Sequence, residues 1–560
     1  MKKYITIILI VFGCSVVYSC SHFNDLNTDR YAITEVSPAA LIQTITFATQ
    51  SKILSTSYNL TSQLMQHAIT KSVTDIETST YVYNYECTIA QSRTFWDLYV
   101  QKGHAEAMIA EARKDGNAGL EGVGLILRTY VMQILTDVYG DVPYFEAGLM
   151  PVQPDNIQVN LKYDSQKEIY RDMFMTLEKA NTLLKGASNF TQEMDKIYLG
   201  KVASWRKLGN TLYLRLLMRA SLKLIEEDGG MVDLGEEYGS FDVRAKIAEI
   251  YSENMDSSGE VIKNTSGKYP IFSSVEDRAF IQYNVMSQAY YTPFHTSTSF
   301  TQMVACKTLV DKMAPRNESD LIITVDPRYC YYFSQKYKGL PVQQRLTYVS
   351  EYLKANSVAS YAYDGTYGNL KDGTSYAFMN YSEPLFIFAE ASSREWIPGG
   401  TALTRKLCLR ACEVSIEEWN PEDRCPKVSK SQTASGKDIV PCKSDYMAYL
   451  ETLYSPSLDK EMQLEFIMTQ KWIASFWYGV EAWSDYRRTG FPILRTDGPA
   501  ALNRRILCTR MTYPSTEPYH NGNCYYEAVN GWLKGSDDML TDVWFADTNE
   551  SKQNRRYGRN

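Results

Sequence analysis

A chain of 560 residues, 44% apolar and 22% charged, is long enough to bury a large core and has the composition of an ordinary folded globular protein. Its net charge of -7, with no run of Lys and Arg beyond the short Arg555, Arg556 and Arg559 cluster, excludes a nucleic-acid footprint. Aromatic content is the unusual quantity. With 42 Tyr, 20 Phe and 9 Trp, the chain carries many side chains that pair an apolar face with a polar tip.

Lys2 and Lys3 precede an apolar stretch from Ile5 to Val17, which has the length of a signal-peptide core and is too short to span a bilayer. Val17-Tyr18-Ser19-Cys20 follows, a small residue just before a cysteine, as in a bacterial lipobox. Residues 1–19 therefore read as a signal peptide and Cys20 as an acylated N-terminus, with enough lipid for stable anchoring. Val11-Phe12-Gly13-Cys14 competes, but with a shorter apolar core. Residues 20–37 form a polar tether without apolar periodicity.

Helical patterns dominate from Pro38. Leu120, Val123, Leu127, Val131 and Leu135 fall on one face of a helix over 118–138. Val202, Trp205, Leu208, Leu212, Leu216 and Ala220 do the same over 201–225. Helices are also expected over 92–114, 164–186, 380–393, 401–419, 443–455 and 458–486. They fall into sequential pairs, 92–114 with 118–138, 164–186 with 201–225, 380–393 with 401–419, and 443–455 with 458–486. The expected fold is mainly α, with TPR-like helical hairpins forming a superhelical scaffold, long loop-rich insertions and minor β. Residues 38–560 are read as a single domain. No later segment is read as a membrane span.

The insertions, 226–296 and 315–379, are rich in Gly, Ser, Asp and Tyr and are read as long loops. Leu321–Val325 and Tyr329–Phe333 are their expected extended runs. Long irregular segments in a large domain tend to carry function. The hairpins need their apolar stripes for packing, so ligand contacts are expected from loop aromatics. Tyr81, Tyr83 and Tyr85 alternate before Trp96. Tyr290, Tyr291 and Phe294 form a second group, and Tyr361, Tyr363 and Tyr367 a third among Gly365, Gly368 and Asn369. For each group the plain alternative is local packing.

No P-loop, GxSxG, HExxH or convincing GxGxxG occurs, and His22, His67, His104, His295 and His520 are not at ligand spacing. No catalytic residue, metal or cofactor is assigned. Cys408, Cys412, Cys425 and Cys442 fit no common zinc spacing. In an exported chain a disulfide between Cys425 and Cys442 is the other reading, with Cys508 and Cys524 a weaker pair.

Several segments resemble the SusD/RagB family of Bacteroidetes-type lipoproteins. They are LRTYVMQILTDVYGDVPYFEA (127–147), KVASWRKLGNTLYLRLLMRAS (201–221), FMNYSEPLFIFAEA (378–391), QKWIASFWYGVEAWSDYRRTGFP (470–492) and TRMTYPSTEPYHNGNCYYEAV (509–529). Their order along the chain, behind a lipobox, carries the resemblance. Within them, Trp472, Phe476, Trp477 and Trp483 read as core, and Arg487 and Arg488 as parts of a buried polar network. The resemblance implies a non-enzymatic outer-membrane lipoprotein, facing the cell exterior, that captures oligosaccharide and passes it to a SusC-like TonB-dependent transporter. The RagB branch implies peptide instead, and a carbohydrate-active enzyme is the remaining alternative. By position along the chain, the resemblance puts Tyr290 and Tyr291 first as ligand contacts. One departure is that Ser21-His22-Phe23-Asn24-Asp25 offers a single acid after Cys20, where exported members often carry several.

Overall fold

The computed structural model describes residues 37–70, 92–149, 160–262, 267–282, 303–333, 336–342, 346–356, 375–419, 425, 427–455, 457–495 and 507–547. Over these the protein is mainly helical. The longer helices are α1 (Pro38–Thr56), α2 (Tyr99–Lys114), α3 (Ala118–Tyr139), α4 (Gln166–Leu184), α5 (Val202–Asp228), α6 (Val243–Asn254) and α7 (Lys307–Met313). They continue with α8 (Leu346–Ala355), α9 (Ser382–Ser393), α10 (Gly400–Glu417), α11 (Lys443–Leu453), α12 (Lys460–Ala474), α13 (Gly479–Thr489) and α14 (Gly522–Asn530). Short strands are β1 (Ala68–Thr70), β2 (Met231–Asp233), β3 (Ser240–Asp242), β4 (Ala279–Gln282), β5 (Met303–Ala305) and β6 (Ser375–Met379), which pair antiparallel as β1 with β5, β2 with β3 and β4 with β6.

Local chemistry sets the helix ends. The Asn117 side chain accepts the Leu120 N–H at 3.0 Å and starts α3. Ser165 does the same for Glu168 at the head of α4, while its hydroxyl donates to the Glu168 carboxylate, a reciprocal arrangement of cap and third residue. Gly140 ends α3 at φ 85°, and a Cβ there would collide with the Trp532 ring, so both backbone and packing require glycine.

The helices stack in TPR-like fashion. α1 lies on α2, α2 on α3, α3 on α4, α4 on α5, and α5 on α6; farther along, α9 pairs with α10 and α12 packs against α9. α13 touches α3, α5 and α12, so the N-terminal and C-terminal helix groups share a core. Trp205, Trp477 and Trp483 are fully buried there, and Trp472 and Phe476 nearly so. α3 is long and apolar enough by composition to cross a membrane, but 89% of that stretch is buried inside the protein, as a core helix is.

Four expectations need correction. The stretch 458–486 is two helices, because residues 475–478 form a turn in which Trp477 takes φ 71° and its carbonyl accepts the Ser57 hydroxyl at 2.8 Å. Tyr329–Tyr332 is a helical turn. Asp326 accepts the Arg328 N–H at 2.9 Å and the Tyr329 N–H bonds the Asp326 carbonyl at 3.0 Å, so a cap outweighs the β preference of the aromatic run. Leu321–Val325 forms no strand, only isolated bridges at Ile322 to Arg316 and Thr433. α11, expected to pair with the helix after it, packs on α10.

Candidate functional site

The strands, short as they are, fix where the aromatic-rich insertions leave the helical body. Thr70 at the end of β1 is in register with Met303 at the start of β5, and Gln282 at the end of β4 with Ser375 at the start of β6. The segment 71–91 thus departs beside the point where 283–302 returns. The segment 283–302 departs beside the point where 357–374 returns. These are the segments that carry Tyr81, Tyr83 and Tyr85, then Tyr290, Tyr291 and Phe294, then Tyr361, Tyr363 and Tyr367. All those residues, and Cys20, lie outside the described residues. What the structure supplies is the frame from which they extend.

That frame is buried. Ala68, Ile69, Met303, Val304 and Ala305 are all buried. His67, just before β1, places Nε2 3.0 Å from the Trp472 carbonyl, and the Trp472 indole N–H donates to Met65 O at 2.9 Å, so Trp472 of α12 holds the residues that lead into the strand. Burial pushes the His67 imidazole down to about 3, against the smaller opposing effect of the Trp472 carbonyl, so the ring is neutral at physiological pH. The Gln66 side-chain amide oxygen accepts the Thr308 hydroxyl at 2.7 Å and ties the residues before β1 to α7. On the other pair, Tyr130 donates to Phe378 O at 3.0 Å and Gln50 to Ala377 O at 3.1 Å. Arg278, at the head of β4, donates to Glu418 O at 2.7 Å. Glu418 in turn accepts the Ser382 N–H at 2.9 Å and the Ser382 hydroxyl at 2.7 Å, capping α9. Burial raises that carboxyl to about 7, more than the Ser382 bonds lower it.

Beneath β6 runs a buried charge network. Arg219 bonds Asp137 and Glu481, and Arg215 bonds Glu383 at 2.5 Å and Glu481 at 3.2 Å. Burial disfavours the Glu481 charge, but Arg215 and Arg219 outweigh it and hold the carboxyl near 2. A cavity of about 30 Å3 lies against Arg215, Glu383, Lys471 and Glu481, room for a water molecule. Glycoside hydrolysis places two carboxyl groups on either side of a substrate cleft. Here the acids face arginines, and the arrangement is that of a tie between helices.

The cysteines are arranged differently from expectation. Cys425 is disulfide-bonded to Cys330, with Cα atoms 5.5 Å apart, and Cys442 is a free thiol, which corrects the Cys425 to Cys442 pairing. The buried turn at 329–332 brings Cys330 to Cys425, a contact across 95 residues that local spacing does not reveal. Cys408 and Cys412 are buried free thiols on α10, and Cys508 and Cys524 are also free. Among the described residues no group of His, Cys, Asp and Glu is placed to hold a metal ion.

Two surface pockets escaped the sequence reading. One, of about 460 Å3, lies between α11 and α12 against Tyr449, Leu453, Met462 and Phe466. The other, of about 340 Å3, is walled by Tyr170, Phe174 and Trp544. Their aromatics sit on helices or in the stretch after α14, outside the three aromatic groups singled out from the sequence.

Comparison with known proteins bears on this frame. Residues 30–229 and 244–514 match the SusD-like family model described as "Starch-binding associating with outer membrane". Among solved structures, a SusD homolog from Bacteroides fragilis NCTC 9343 superposes with a TM-score of 0.69 at 21% identity, covering 91% of this chain and 100% of that one. A chitin-binding SusD homolog from Flavobacterium johnsoniae gives 0.65 at 21% identity, covering 91% and 98%. A SusD homolog from Bacteroides uniformis ATCC 8492 gives 0.64 at 19%, covering 92% and 100%. At these identities the likeness is one of fold. No curated protein matches the sequence.

Proposed function

This chain belongs to the SusD-like family, and on that premise we propose that it is a cell-surface lipoprotein that captures oligosaccharide and delivers it to a SusC-like TonB-dependent transporter in the outer membrane. The family description supports glycan binding at the outer membrane, and a chitin-binding homolog shares the fold. The observation that carries the reading is the pairing of Thr70 with Met303 and of Gln282 with Ser375, which roots the three aromatic-rich segments at two strand pairs. Tyr and Trp rings accept the apolar CH face of a sugar while neighbouring polar groups bond its hydroxyls. Tyr290 and Tyr291 are the proposed principal contacts, with Phe294, Tyr81, Tyr83, Tyr361 and Tyr363 around them.

The test uses protein lacking residues 1–20, titrated calorimetrically with maltohexaose, chitohexaose and xylohexaose. Each aromatic contact is worth about 0.5–1.5 kcal/mol beyond burial, roughly 2- to 12-fold in affinity. The Tyr290→Ala, Tyr291→Ala double variant, shown to be folded by circular dichroism, is expected to bind at least severalfold more weakly. Unchanged affinity moves the site elsewhere. Binding of peptides with none of oligosaccharide overturns the glycan reading. Anchoring is proposed at Cys20, and Cys20→Ala is expected to move the protein out of the membrane fraction and abolish its acyl labelling.

A further inference from the structure

The pocket of about 340 Å3 lies away from β1, β4, β5 and β6. It is built from α4, the C-terminal end of α5, the β2–β3 hairpin and Trp544. Its volume falls within the roughly 300–1,000 Å3 of small-ligand sites. Tyr170, Phe174, Leu224 and Val232 form a buried apolar floor, and Met231, half exposed, stands at the mouth. Trp544 is fixed in place. Its indole N–H donates to Glu227 at 3.1 Å, and Glu227 is held by Lys167 at 3.1 Å and Lys223 at 3.6 Å. The ring rests 5.7 Å from that of Tyr170. An aromatic wall immobilised before any ligand arrives costs little ordering on binding.

The rim is polar and exposed. Asp233 Oδ1 accepts the Gly235 N–H at 2.9 Å and the Ser240 hydroxyl at 3.2 Å, while Oδ2 accepts no hydrogen bond among the described residues and the carboxylate lies within the field of Arg171. Arg171 spends its Nε on the Asp233 carbonyl, which orients the guanidinium, and its two terminal nitrogens donate no hydrogen bond among the described residues. A preset carboxylate acceptor and a preset two-nitrogen donor flanking an indole suit a ring with one apolar face and hydroxyls around its edge, since each hydroxyl both donates and accepts.

We propose that this pocket is a second carbohydrate subsite, in which one pyranose ring of an oligosaccharide packs on Trp544 and bonds Arg171 and Asp233 through its hydroxyls. The proposal rests on the glycan reading above. Its test is saturation-transfer NMR and calorimetry on protein lacking residues 1–20, with maltohexaose, chitohexaose and xylohexaose. The Tyr290→Ala, Tyr291→Ala variant is expected to keep a residual binding phase. Adding Trp544→Ala to it is expected to weaken that phase about 2- to 12-fold. Adding Arg171→Ala instead is expected to weaken it too, and because Arg171 is exposed this second variant still decides the matter if the first does not fold. A residual phase indifferent to both substitutions, or no residual phase at all, overturns the second subsite while leaving the glycan reading intact. A parent protein that binds none of the three sugars overturns both.

Discussion

Glu418 is a buried carboxyl whose neighbours do not fully compensate for its burial. Its two bonds from Ser382 favour the charged form, but burial dominates and lifts it to about 7 from an ordinary 4.5. An acid with a raised folded-state value contributes stability below its unfolded value and loses it as pH rises toward the folded one. The loss therefore falls between about pH 4.5 and 7, on the order of 3 kcal/mol at about 1.4 kcal/mol per unit. Glu418→Gln keeps an oxygen for the Ser382 N–H and has no proton to lose. Urea denaturation at pH 5 and pH 8 is expected to show the variant gaining on the parent at the higher pH. His67 titrates in the same window in both proteins and cancels in the difference. An equal difference at the two pH values would mean that Glu418 does not titrate there. This residue was invisible in the sequence, where Glu417-Glu418 reads as an ordinary acidic step on a solvated helix face. Only the fold shows that Glu417 faces Lys443 at 3.0 Å while Glu418 turns inward.

Helix identities were legible because apolar spacing encodes them. The expected ranges 118–138 and 201–225 appear as Ala118–Tyr139 and Val202–Asp228. What periodicity does not encode is a break forced from outside, such as the turn at Trp477, or a short helix embedded among turn residues. α6 is the second case. Val243, Ile247, Ile250 and Tyr251 do keep helical spacing, and Asp242 caps them by accepting the Arg244 N–H at 2.8 Å, but the Gly- and Ser-rich flanks hide the pattern. The role foreseen for Arg488 is present in the structure. It joins α13 to α9 through Glu390 at 2.5 and 2.7 Å, and both side chains are wholly buried. Burial opposes the Glu390 charge, but Arg488 and Arg394 overcome it and hold the carboxyl near 2. Removing one partner of a buried pair costs about 3–5 kcal/mol, whereas replacing both with apolar groups of like size is often neutral. Arg488→Ala is accordingly expected to lose about that much in urea denaturation. Arg488→Met with Glu390→Leu is expected to recover most of it. A single variant within about 1 kcal/mol of the parent would show that this tie between helices is not a stabilising one.

At the scale of the whole molecule, the family was legible because its five segments lie in the order in which the helices pack. Ligand contacts have no such trace, because aromatics outside the helical patterns carry no periodic signature, and chain position alone selected Tyr290 and Tyr291. The disulfide from Cys330 to Cys425 was likewise hidden by its long span, and the two surface pockets by their location among helices. The same packing bears on whether the body folds as one unit. Arg219 on α5 bridges Asp137 on α3 and Glu481 on α13, and Arg215 on α5 meets Glu383 on α9, all at buried or nearly buried positions. Separating the N-terminal helices from the C-terminal ones would leave these charges unpaired and expose the apolar face of α3, so neither part is expected to have a stable state of its own. We infer that residues 38–560 unfold cooperatively. Protein lacking residues 1–20 is expected to show one transition in urea, coincident by tryptophan fluorescence and far-ultraviolet circular dichroism. A fragment ending near residue 262 is expected to be unfolded when expressed alone. Two resolved transitions, or a fragment that melts cooperatively by itself, would divide the chain into separate domains and leave the Asp137, Arg219 and Glu481 tie as an interface between them.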